Sequence, residues 1–117
     1  MKKDKKYTKE DCDKLLSPII KKMYPRCLLC NNNTQVAHHH FHKSKSMCLR
    51  YNLDNLIPLC NGCHMKLGFD ESRWGCKVLE IRGLKWFKKL DEYHTMHKDE
   101  KPDFYKIYNN LSFKLNK

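Results

Sequence analysis

Four thiols and a run of imidazoles occupy the middle of this chain. Cys27 and Cys30 form one C-x-x-C pair, and Cys60 and Cys63 form a second. Between them lies "HHHFH", placing His38, His39, His40 and His42 within one short stretch. Two C-x-x-C pairs suit a tetrahedral zinc site, because each tight turn clamps one edge of the tetrahedron. The intervening segment 31–59 is longer than the roughly 15–20 residues usual in a zinc ribbon, so it can be a structural unit in its own right. Neutral imidazole takes up a proton near neutral pH and also ligates several divalent metals. His64 directly follows Cys63, so zinc bound there would fix its position. A histidine on a helix and another on a facing strand can then hold a second divalent ion. The competing reading is one redox pair beside a coincidental one. No thioredoxin-like βαβ pattern surrounds either pair, which argues against an oxidoreductase.

These residues must be positioned by a small scaffold. The chain has 117 residues, 40% of them hydrophobic, which suggests one domain with limited capacity to bury apolar surface. A metal staple would help such a domain. Lys and Arg number 24 against 13 acids, a formal charge of +11. That balance favours an anionic partner, nucleic acid first among candidates, and charge alone leaves a merely basic, soluble surface equally open. No run of about 18 apolar residues occurs, so no membrane partner is expected. The N-terminal "MKKDKKYTKED" has no apolar stretch behind it, so a cytoplasmic location is expected. The odd count of seven cysteines also argues against a secreted disulfide framework. Cys12 fits an apolar helix face, and Cys48 and Cys76 receive no role.

Local patterns predict the elements. Residues 1–7 read as a charged, frayed arm. Thr8 with Asp11 reads as a helix start. Cys12, Leu15, Leu16, Ile19, Ile20 and Met23 then form one apolar stripe, interrupted at Ser17-Pro18 by a kink or by the start of a second helix. Tyr24-Pro25 ends it, so residues 1–24 form an arm and helix. A core spans 25–70: a knuckle, a strand over 34–41 running into a loop, a short apolar stretch over 55–59, and a turn at the second knuckle entering a helix near whose end Gly68 falls. Residues 71–117 read as C-terminal helices. One covers 71–82 and is broken by Gly83. The next turns Leu84, Phe87, Leu90 and Tyr93 to one face, with solvent-exposed His94 and His97. After a linker at Lys101-Pro102 comes a last helix with Phe104, Ile107, Tyr108 and Leu111 inward.

"AHHHFHK" followed by "NLIPLCNGCHMKLG" resembles the HNH endonucleases, the ββα-metal nucleases, in the version with two zinc knuckles. Asn55, Leu56, Pro58, Leu59, Cys60, Cys63 and His64 match the most distinctive part of that pattern, and Lys66 supplies its basic residue slightly displaced. The core resemblance covers 27–68. The flanks "LLSPIIKKMYPRCLLC" and "RGLKWFKKLDEY" more weakly resemble phage recombination nucleases of the NinG type. The resemblance implies an α+β fold, a zinc-stapled ββα-metal core with flanking N- and C-terminal helices. It implies a metal-dependent DNA endonuclease, hydrolysing phosphodiester bonds to leave a 5′-phosphate and a 3′-hydroxyl. Structural Zn2+ would sit on Cys27, Cys30, Cys60 and Cys63, and a catalytic Mg2+, Mn2+ or other divalent ion elsewhere. Aligning His39-His40-Phe41 with the family pattern makes His40 the general base, oriented by Asn55, with His39 and His64 as metal ligands. Three histidines stand where the family has two, so a register slipped by one makes His39 the base and His38 the ligand. The first register is preferred because Phe41 matches the apolar residue expected next. A NinG-like role would point to branched recombination intermediates and to a phage protein acting in its host's cytoplasm.

Hydrolysis needs an activated water and relief of charge at phosphorus, which a histidine base and a bound cation supply. Lys43, Lys45, Arg50 and Lys66 lie beside the motifs and could hold backbone phosphates, contacts that confer affinity rather than sequence preference. His42 reads as a phosphate contact or a plain surface residue. The alternative function is a non-catalytic zinc-knuckle nucleic-acid-binding protein, which needs no combination of a histidine base, Asn55 and His64. Oligomeric state is left open.

Overall fold

A computed structural model describes residues 6–42 and 45–117. The chain begins with two short helices, α1 (Lys9–Asp13) and α2 (Leu16–Met23). Thr8 starts α1 with a reciprocal cap: its Oγ accepts from the Asp11 N–H, and its own N–H donates to the Asp11 carboxylate. The interruption is resolved as two helices, with Pro18 in the first turn of α2, where a missing N–H leaves no hydrogen bond unmade. Cys12, Leu16, Ile19 and Ile20 are buried as the stripe requires, whereas Met23 is exposed. Tyr7, expected in the frayed arm, stacks on Tyr108.

A two-stranded antiparallel sheet follows, from β1 (Val36–His39) and β2 (Leu56–Leu59). Val36 faces Leu59, Ala37 faces Pro58, His38 faces Ile57 and His39 faces Leu56. Hydrogen bonds from Gln35 N–H to Leu59 O and from His40 N–H to Asn55 O extend the ladder beyond both ends. The loop between the strands carries structure that composition did not announce: a single helical turn, α3 (Met47–Arg50), and a 3-10 turn at Leu53–Asn55.

Four helices complete the chain: α4 (Asn61–Phe69), α5 (Glu71–Arg82), α6 (Leu84–His97) and α7 (Phe104–Asn116). Cys60, Asp70 and Asp103 cap α4, α5 and α7 through their side chains. Gly83 separates α5 from α6 at φ 93°, a conformation that disfavours any residue with a Cβ. On α6, Phe87 and Leu90 turn inward as expected, but Leu84 and Tyr93 are exposed. None of the described helices is long and apolar enough to cross a membrane.

β2 is buried along its whole length because it joins two apolar clusters. Ile57 and Leu59 meet Cys27, Cys60, Cys63, Leu67 and Val78 on one side. Leu56 meets Cys12, Leu16, Ile19, Ile20 and Leu111 on the other. The result is a mostly helical α+β fold with a hairpin at its centre.

Candidate metal and histidine site

The four cysteines converge. The sulfurs of Cys27, Cys30, Cys60 and Cys63 all lie within 4.8 Å of one another, and Cys30 and Cys60 are 3.5 Å apart. Tetrahedral zinc with Zn–S bonds of about 2.3 Å requires sulfurs about 3.8 Å apart, so the cluster is consistent with a zinc site. Local backbone builds it. Asn31 adopts a left-handed φ of 66° and donates its N–H to Cys27 O, turning the first knuckle. In the second knuckle, the Cys63 N–H points at the Cys60 sulfur from 3.4 Å. That donor is the main reason the Cys60 thiol is held down to about 7, favouring the thiolate that a metal needs.

The hairpin and α4 then distribute the histidines. Directly opposed residues of an antiparallel pair share a face, and successive residues alternate. His38 therefore shares the face of Ile57, toward the cysteine cluster and α4. His39 shares the face of Leu56, toward the N-terminal helices. The His38 and His64 rings approach to 5.4 Å between centroids. His39 turns away to place Nε2 2.9 Å from Arg50 O, the last residue of α3. A cleft of about 480 Å³ at the edge of β1 is lined by His38, His39, His42, His64 and Asp13 among others.

His40 lies outside that cleft. Its ring packs 4.8 Å from Trp86 and 5.9 Å from Phe87, both on α6. A neighbouring cavity of about 310 Å³ takes in His38, His40, His42 and Glu71. Burial pushes His40 below the ordinary imidazole pKa, with Glu71 opposing. His42 is exposed and paired with Glu71.

Asn55 is fully buried and knots the loop. Its Oδ1 accepts from Phe41 N–H at 2.7 Å, and its Nδ2 donates to Phe41 O and Leu49 O, each at 3.1 Å. Both ends of the histidine-bearing loop are thus tied to one amide. Asn55→Ala would leave Phe41 N–H and Phe41 O without partners, each worth about 1–3 kcal/mol when buried, while Leu49 O would keep the Asn52 N–H as a donor. A loss of about 2 kcal/mol or more is expected, read as a fall in Tm of about 8–15 °C in thermal unfolding.

The expected phosphate contacts divide. Lys45 and Lys66 are exposed, whereas Lys43 lies outside the described residues. Arg50 corrects its expectation: it is only 7% exposed, and its guanidinium is held bidentately by Asp13 at 3.0 and 2.6 Å. A long-range ion pair of this kind leaves no local pattern in a sequence. His94 is likewise not the surface residue expected, since it is half-buried with Nδ1 2.7 Å from Ser46 Oγ.

His38 is pushed down to about 4, first by burial and then by the imidazoles around it, His64 foremost. A folded-state pKa below the ordinary value of about 6.5 means that the unfolded chain binds more protons in between. The His38 contribution to stability is therefore intact above about pH 6.5 and is lost as pH falls toward 4. Thermal unfolding from pH 7 to pH 5 should show a steeper fall in Tm for the parent than for His38→Gln. Parallel curves would refute that sign.

No protein-family model, curated protein or solved structure matches the chain.

Proposed function

We propose that this protein is a metal-dependent DNA endonuclease of the ββα-metal (HNH) type. The observation that carries the reading is the meeting of His38 and His64 across the hairpin–helix junction, with His39 lining the same cleft. This supports the second of the two registers considered: His38 and His64 as ligands of a catalytic divalent ion, and His39 as the base. His40, packed against α6 aromatics, takes a supporting role. Two imidazoles are an incomplete ligand set, which phosphate and water oxygens would complete. A bound cation would offset the charge that develops on the scissile phosphate and on the leaving 3′ oxygen.

The chain's own residues account for the rest. The carbonyl of Arg50 can only accept a hydrogen bond, so it selects the His39 tautomer protonated at Nε2. The basic lone pair then lies on Nδ1. His39 removes a proton from water there as the oxygen attacks phosphorus, and the bond from phosphorus to the 3′ oxygen breaks. The imidazolium so formed keeps its Nε2–H on the carbonyl. Exposed Lys45 and Lys66 would hold flanking phosphates.

Incubation with supercoiled plasmid and Mg2+ or Mn2+ tests the reading. Nicked or linear product is expected, and His64→Ala should reduce it at least about a hundredfold, toward the level expected from loss of the metal. Binding without cleavage at any divalent ion would reject the enzyme in favour of a non-catalytic nucleic-acid-binding protein. Parallel assays on duplex, flap and four-way-junction DNA would test the narrower, recombination-type substrate preference.

A further inference from the structure

We infer that Asp13 and Arg50 are positioning residues: their ion pair fixes the carbonyl that orients His39. The inference rests on the nuclease reading, in which His39 is the base. α3 is a single turn, too short to hold its own geometry through helix hydrogen bonds. Its last two carbonyls nonetheless have defined tasks. Leu49 O receives the Asn55 amide, and Arg50 O meets His39 Nε2. Something outside α3 must set where the Arg50 backbone sits.

The Arg50 side chain supplies that anchor. Its Nε and Nη2 donate to the two oxygens of Asp13, at the end of α1. Such a fork-to-fork contact fixes direction as well as distance. The Tyr51 hydroxyl lies 2.8 Å from Asp13 Oδ1 and 3.1 Å from Lys9 O, both acceptors, and its one hydrogen serves the nearer Asp13 oxygen. Arg50 and Tyr51 thereby clamp α3 to α1 immediately beyond the carbonyl that His39 uses. The side chains of the pair are 9% and 30% exposed, so the charges are largely withdrawn from water. A pair in that setting gains little net stability over apolar replacements, whereas its geometry is strict. Asp13 also lines the cleft that holds His38, His39 and His64. α1, which supplies no histidine or cysteine ligand, is in this way part of the base's support.

Arg50→Lys keeps the charge but loses the fork, and Asp13→Asn keeps the shape but loses the charge. Each is expected to lower kcat about tenfold to a hundredfold, as a misplacement near 1 Å does, with KM within twofold and zinc content unchanged. Tyr51→Phe, which spares the ion pair, should cost less. The imidazole nitrogen chemical shifts of His39 give a readout independent of cleavage. They should report the Nε2-protonated tautomer in the parent and a mixture in Arg50→Lys. Both variants cleaving within twofold of the parent, while His39→Ala is inactive, would overturn this inference and leave the nuclease standing. An inactive parent would reject the nuclease. The clamp would then be judged on the tautomer, and an unchanged signature in Arg50→Lys and Asp13→Asn would overturn it. Should Asp13→Asn fail to fold, Arg50→Lys and Tyr51→Phe decide alone.

Discussion

Removing zinc, or replacing Cys63 with serine, is expected to unfold the centre of this protein rather than loosen one loop. Cys27, Cys60 and Cys63 are not appended to the core. They are buried within the cluster that contains Ile57, Leu59, Leu67 and Val78. The first knuckle leads into β1 and the second follows β2, both at the Val36–Leu59 end of the hairpin. Releasing them removes the constraint that holds β2 and α4 together. A structural zinc typically contributes about 10–16 kcal/mol of apparent folding free energy at pH 7, more than the roughly 5–15 kcal/mol by which most domains are stable. Circular dichroism after chelation should therefore lose its cooperative thermal transition, and a colorimetric metal assay should recover one zinc per chain. Cys76→Ser, at an exposed position, should leave Tm within about 2 °C, because surface changes seldom exceed 0.5 kcal/mol. A chelated protein that melts where the untreated one does would remove the metal from the account of this fold.

The second large effect separates two adjacent histidines. His39→Ala is expected to lower plasmid cleavage by about 10²–10⁴-fold, the usual worth of a general base. His40→Ala should retain most of the cleavage and instead lower Tm, since its ring fills space against Trp86 and Phe87. Both variants should still bind DNA and carry zinc. The physical reason lies in what each ring meets. His39 lines the cleft at the edge of β1 that His38 and His64 also line, whereas His40 lies outside it, against the α6 aromatics. The reverse pattern, with His40→Ala inactive and His39→Ala fully active, would restore the register favoured by the neighbouring Phe41 and would displace the geometric reading.

Much of the scaffold could be read from the residues, and for a shared reason. The Thr8 cap, the break before Pro18, the left-handed Gly83 and the helices on either side of it are decided by neighbours within a few positions. The same holds for the two knuckles, whose C-x-x-C spacing reflects one tight turn each. Convergence of the four sulfurs followed from the chemistry of thiolates, which has few other uses for two such pairs. The inward faces of α7 were legible from period alone, while Leu84 and Tyr93 on α6 show that period names a face without saying how wide its cover will be.

Other features depended on partners distant in the chain. Burial of Arg50 required Asp13 to arrive from α1, and His94 met Ser46 only because α6 packs against α3. The sides on which the histidines of the run fall belong here too. Alternation alone separates His39 from His38 and His40, but it does not say which side faces α4. That is settled by the pairing of His38 with Ile57 and His39 with Leu56. A shift of one residue in that pairing would exchange the two sides, because side chains alternate with a period of two while the backbone hydrogen bonds of β1 carry no information about which imidazole is wanted.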